Sequence, residues 1–189
     1  MMSNDANDAT AAETVTAATR EWIEKAVIGL DLCPFTRPVY AGDRIRYCVS
    51  DAQSAQALLI DLKGELRVLQ AADPQIVETT LLIHPGVLGD FDEYNQFLDQ
   101  AEAAVAQLAL EGELQIASFH PRYRFADTAA DDIENYTNRS PYPMLHLLRA
   151  ASIERAVATI ADPAAIYERN IETMRRLGQE GWRRLWRKE

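Results

Sequence analysis

The stretch Val77-Glu-Thr-Thr-Leu-Leu-Ile-His-Pro-Gly86 decides the reading of the fold. From Val77 to Ile83 it is β-branched and apolar, as a buried strand requires, and His84-Pro85-Gly86 stops it, since proline lacks the ladder N–H and glycine favours a turn. Downstream, Asp90 and Glu93 have the spacing of a helix capping box, and Tyr94, Phe97, Leu98, Ala101, Val105 and Leu108 recur at helical intervals to about Leu110. Glu111-Gly112-Glu113 turns the chain. Leu114-Gln-Ile-Ala-Ser-Phe119 then reads as another strand, stopped like the first by a His-Pro pair, His120-Pro121.

Upstream, Ile45, Tyr47 and Val49 alternate with polar neighbours between Arg44 and Ser50, which predicts a strand, and Ser50 or Asp51 is placed to cap the helix after it. Leu58, Leu62, Leu66 and Leu69 mark one face of that amphipathic helix, over residues 53 to 71, which Gly64 weakens. The β-α-β-α-β order predicts an α/β fold: a single domain around a mainly parallel core of three strands, joined by right-handed crossovers. Before it, a helix is expected from about Glu13 to Leu32, with Trp22, Ile23, Ala26, Val27 and Leu30 on one face and Cys33-Pro34 at its end. Residues 1 to 12 are expected to form a disordered tail, with the domain running from 13 to 189.

Beyond His120, residues 121 to 140 lack clear periodicity and are expected to form a long surface loop. Ser140 is placed as an N-cap and Pro141 as a first helical residue. With Met144, Leu145, Leu148, Val157 and Ile160 they predict a helix from Pro141 to about Ala161. Asp162-Pro163 restarts the pattern into a last helix through Ile166, Ile171, Met174 and Leu177, with Trp182, Leu185 and Trp186 sealing it onto the domain.

Composition narrows the classes of function. With 19 Lys and Arg against 29 Asp and Glu, the formal net charge of -10 repels phosphate backbones and anionic lipid, so neither nucleic acid nor a membrane surface is an expected partner. No apolar run approaches the ~20 residues that span a bilayer, and the N-terminal residues lack the basic start and apolar run of a secretory signal. Cys33 and Cys48 form no CxxC, which fits a reducing cytoplasm. Nothing identifies a cofactor: no dinucleotide glycine fingerprint, P-loop, nucleophile elbow or zincin motif is present.

The candidate catalytic residues are His84, His120 and His146. The first two end strands, where open parallel sheets bind ligands, and they are expected to end adjacent parallel strands at one edge; His146 falls in the second turn of the helix predicted from Pro141. Imidazoles titrate near neutrality, so two in different surroundings could supply an acid and a base for proton transfer or hydrolysis. Arg122, Asn138 and Arg139 are the candidate substrate-binding residues. Arg139 immediately precedes the predicted helix N-terminus, a combination that suits a small anionic ligand. The structural alternatives are that each imidazole orders its own turn through a backbone carbonyl and that Arg139 pairs with a loop carboxylate. Cys33, between Leu32 and Pro34-Phe35, is expected to pack rather than to act as a nucleophile. Two other functions fit the same residues: a non-catalytic ligand-binding or interaction module using Tyr136, Tyr142 and the proline-rich turn, and a metal-binding protein using His84, His120, His146 and Cys33, although no HxH or HxxxH spacing is present.

The segments Gly29-Leu-Asp-Leu-Cys-Pro-Phe35, Glu78-Thr-Thr-Leu-Leu82, Gln115-Ile-Ala-Ser-Phe-His-Pro121 and Thr137-Asn-Arg-Ser-Pro-Tyr-Pro-Met-Leu-His-Leu-Leu-Arg149 together resemble the bacterial domain-of-unknown-function family 1415. The resemblance spans about Trp22 to Trp186, and the last string is its most specific part. No activity is established for that family, so the resemblance implies no reaction. It does set Cys33, His120, Arg139 and His146 inside family motifs.

Overall fold

A computed structural model describes residues 3–158 and 164–187. The chain begins with helix α1 (Ser3–Trp22), which starts ahead of Glu13 and continues as a π-helical turn over Ile23–Ile28. A short helix α2 (Thr36–Ala41), unforeseen from the sequence, leads into strand β1 (Ile45–Val49). Helix α3 (Ala55–Ala71) comes next, capped by Ser54, whose side chain accepts from the Ala57 N–H, rather than by Ser50 or Asp51. Strand β2 (Thr79–Ile83) leads to helix α4 (Phe91–Gln107), and its expected cap is present: the Asp90 carboxylate accepts from the N–H groups of Asp92 and Glu93. Strand β3 is Leu114–Phe119.

From here the structure departs from the sequence reading. Met144–Arg149 is a fourth strand, β4, and only Ala150–Val157 is helical, as α5. The helix expected from Pro141 is therefore a proline-led strand followed by a short helix; the expected end at Ala161 lies outside the described residues. The physical reason lies in the neighbours of Met144-Leu-His-Leu-Leu-Arg149. The sheet order is β1-β2-β4-β3, so β4 is inserted between β2 and β3, antiparallel to both, and is covered on both faces. A strand buried on both faces loses its alternation and cannot be told from a helix by periodicity. The core is thus a four-stranded mixed sheet in which β1 and β2 alone pair in parallel. His84 and His120 do not end adjacent strands, because β4 lies between β2 and β3, and His146 sits mid-strand instead of on a helix.

One face of the sheet is closed by α3 and α4. Leu58, Leu62, Leu66 and Leu69 have no solvent exposure and meet Leu82, Leu145 and Leu147, each such leucine contributing about 1.5–3 kcal/mol relative to an exposed one. The Arg149 side chain, at the end of β4, donates from Nη2 to the carbonyls of Leu69, Ala72 and Val77 at 2.7, 2.8 and 3.1 Å. It thereby ties the C-terminal end of α3, where carbonyls lack helical partners, to the sheet. The other face carries a second core of Val15, Trp22, Ile23, Ala26 and Val27 against Leu81, Ile83 and Met144. The last helix, α6 (Ala164–Leu185), bends at Gly178, whose φ of 63° is left-handed, and beyond the bend Trp182 and Trp186 join this second core.

Candidate functional site

The loop between β2 and α4 is held by three of the side chains singled out in the sequence. Val87, Leu88 and Gly89 present consecutive carbonyls. His84 donates from Nδ1 to Val87 O at 3.0 Å, His120 from Nε2 to Leu88 O at 3.2 Å, and Arg122 from Nη2 to Gly89 O. Leu88 has a left-handed φ of 56°, a conformation that costs a non-glycine residue free energy and persists only when its surroundings impose it. His120 also accepts the Arg122 N–H at Nδ1, 2.9 Å away, which makes it the neutral Nε2–H tautomer. His84, by its bond to Val87, is the Nδ1–H tautomer, leaving Nε2 buried without a partner. Both imidazoles have no solvent exposure. Burial holds His84 down to about 4, with the neighbouring His120 adding to the effect, and lowers His120 as well.

Although β4 separates their strands, His84 and His120 share a neighbour. The Tyr94 ring stacks on His84 at 5.8 Å and tilts against His120 at 5.0 Å. Its hydroxyl donates to Met144 O at 2.8 Å and accepts the Phe119 N–H at 3.1 Å, joining the end of β3 to the start of β4. Asn138 extends this framework, donating from Nδ2 to Ser118 O at 3.1 Å, and Arg122 also pairs with Asp90 at 3.5 Å.

His146 belongs to the opposite face of the sheet, with Met144 and beside Phe119, whose ring lies 6.2 Å away. Its Nε2 is 2.7 Å from Thr79 Oγ1, which itself donates to Leu147 O, and desolvation holds the imidazole down to about 4. The three histidines therefore do not converge. Among the described residues, no group of three or more His, Cys, Asp or Glu side chains is arranged to hold a metal ion.

Arg139 has a different setting. No helix begins beside it; the chain passes through Ser140 and Pro141 into β4. Its guanidinium lies over the Tyr136 ring, 4.0 Å from the centroid, with Nε donating to Tyr123 O at 3.3 Å and Nη2 to Ala130 O at 2.5 Å. Those two bonds occupy one edge of the planar fork and leave the Nη1/Nη2 edge for a further acceptor. Arg139 lines a cavity of about 320 Å³ between α1, the His120-Pro121 turn and the end of α6, together with Trp22, Tyr136, Trp182, Trp186 and Glu21. A second hollow of similar size, between α3 and α4, is lined by Glu93, Gln96, Gln100 and Phe97 and, among the described residues, by no cationic side chain.

A family model described as protein of unknown function (DUF1415) matches residues 14–184. The chain belongs to that family. No curated protein and no solved structure matches it. The match takes in His84, His120, His146, the strand β4 and the Arg139 turn, and stops short of Trp186.

Sequence reasoning missed the tryptophan side of this family member's cavity. Trp182 and Trp186 read as residues sealing a terminal helix, and they do pack on the second core, but with Trp22 they also form cavity walls. The available signal was compositional: all the tryptophans of the chain, 3 in number, meet at one place. Cys33 packs against that same second core, half-buried, as expected of a small apolar residue.

Proposed function

We propose that the protein binds a small organic anion in the cavity between α1 and α6, with Arg139 as the counter-charge. The observation that carries this reading is the state of Arg139: it lines the cavity, forms no ion pair with a carboxylate among the described residues, and is held flat by two carbonyls and the Tyr136 ring. A guanidinium already oriented in this way loses little conformational freedom on accepting a carboxylate. Acid–base work by His84 and His120 is the weaker reading, since both are fully buried and their bonds to the Val87–Leu88 carbonyls hold a loop. His146 is also better accounted for by its bond to Thr79 than by a ligand.

Calorimetric titration with benzoate tests the proposal, comparing the wild-type chain with Arg139→Gln. Saturable binding that weakens at least about tenfold in the variant, equivalent to about 1.4 kcal/mol, is expected. Binding unchanged by the substitution, or none in either protein, overturns it.

A further inference from the structure

The walls of the cavity specify more than a charge. Trp182 meets Tyr136 edge-on at 5.3 Å and Trp186 edge-on at 5.4 Å, with interplanar angles of 78° and 69°. Rings crossed in this way present faces and edges in turn, and Pro121 and Pro141 add two more rigid faces to the wall. Among the described residues, no branched aliphatic side chain lines the space. A flat ligand makes the most dispersion contact with such walls, because a puckered or branched one touches a flat face at fewer atoms. The size agrees: a cavity of about 150 Å³ holds one benzene ring, and this one measures about 320 Å³.

Charge limits the ligand further. The open Nη1/Nη2 edge of Arg139 matches the two oxygens of a single carboxylate. Among the described residues Arg139 is the one cationic side chain lining the space, and Glu21 in the same wall has its carboxylate on Lys25 at 2.7 Å, so a second carboxylate on the ligand finds no counter-charge there.

We infer that the ligand is a planar aromatic monocarboxylate of one or two fused rings, its ring among Trp22, Tyr136, Trp182 and Trp186 and its carboxylate on Arg139. This rests on the ligand-binding reading above and adds the class of compound. The segment beyond Gly178, which carries Trp182 and Trp186, forms one wall, so selectivity for flat ligands depends on it.

The test is a panel of probes on the full chain, read by calorimetry and by quenching of tryptophan fluorescence: indole-3-carboxylate, benzoate, cyclohexanecarboxylate, uncharged indole and inorganic phosphate. The expected order places the two aromatic carboxylates at least about tenfold tighter than cyclohexanecarboxylate, indole and phosphate. In Trp182→Leu the advantage over cyclohexanecarboxylate shrinks, whereas in Arg139→Gln the advantage over indole is lost. If cyclohexanecarboxylate binds as tightly as benzoate and still depends on Arg139, the aromatic inference fails and the anion site stands. If phosphate binds tightest, the monocarboxylate assignment fails. If no carboxylate binds, both readings fall; and if Trp182→Leu does not fold, the wild-type panel alone decides.

Discussion

At the end of the sheet where β2 and β3 stop, the two faces treat their polar side chains in opposite ways. On the side of α3 and α4, His84, His120 and Arg122 are bonded to the carbonyls of Val87, Leu88 and Gly89, and Tyr94 joins β3 to β4. On the side of α1 and α6, Arg139 rests on a tyrosine ring and two carbonyls, with an edge left over beside a cavity. The first arrangement satisfies its buried polar groups internally, His84 Nε2 excepted, as a stable interior requires; the second leaves donors in an accessible place, as recognition requires. The residue types alone do not separate these roles, since histidine and arginine serve in both.

The largest test of this contrast is Tyr94→Phe. Its hydroxyl is fully buried and serves both the Met144 carbonyl and the Phe119 N–H, so its loss takes a hydrogen bond from each of two backbone groups. The expected cost is about 2–6 kcal/mol in urea unfolding, at about 1–3 kcal/mol for each group that loses its partner, with benzoate affinity unchanged under native conditions. A cost below about 1 kcal/mol would break the comparison by showing that the cluster is not structural.

The pH dependence of stability comes next. His84 is neutral in the folded protein, at about 4, against about 6.5 in an unfolded chain. Between these values the unfolded state binds a proton that the folded state does not, so stability falls as the pH drops from about 6.5 towards 4 and is independent of this group above that window. The slope is at most about 1.4 kcal/mol per pH unit for one histidine. His84→Asn keeps a donor for the Val87 carbonyl without the titration, and its urea midpoint should fall less steeply between pH 7 and pH 5. Parallel slopes for the two proteins would mean that His84 is not held neutral.

The smallest effect concerns the cavity side. Gly178 has a left-handed φ of 63° with open space where a Cβ would stand, so Gly178→Ala is penalised by backbone conformation and not by a clash. A cost of about 1 kcal/mol is expected, seen as faster amide exchange in the segment carrying Trp182 and Trp186, with α4 unaffected. Equal acceleration in both regions would show that the two sides of the sheet are not independent units.

Much of the fold was legible in the sequence. The strand and helix boundaries from β1 to β3 come from local pattern and capping chemistry, as the Asp90 cap and the strand Leu114–Phe119 illustrate. These features are decided within a few residues, where steric preference and the satisfaction of helix-end N–H groups act. What sequence could not settle was β4. The run Met144–Arg149 is apolar throughout because both of its faces are covered, and only the positions of β2 and β3 on either side make it a strand. Pro141 and Pro143, which favour extended neighbours, were the local hint against a helix.

The same division holds for the candidate site. The sequence by itself singled out His84, His120, His146, Arg122, Asn138 and Arg139 as residues with chemistry to offer, and placed the first two at strand ends. Only the tertiary structure decided their surroundings: which imidazoles meet carbonyls, which face His146 takes, and that Arg139 lines one cavity with Trp182 and Trp186, more than 40 residues away in the chain. The physical reason is that a side chain's chemistry is a property of its residue type, whereas its burial, its hydrogen-bond partners and the charge around it are set by segments distant in the chain.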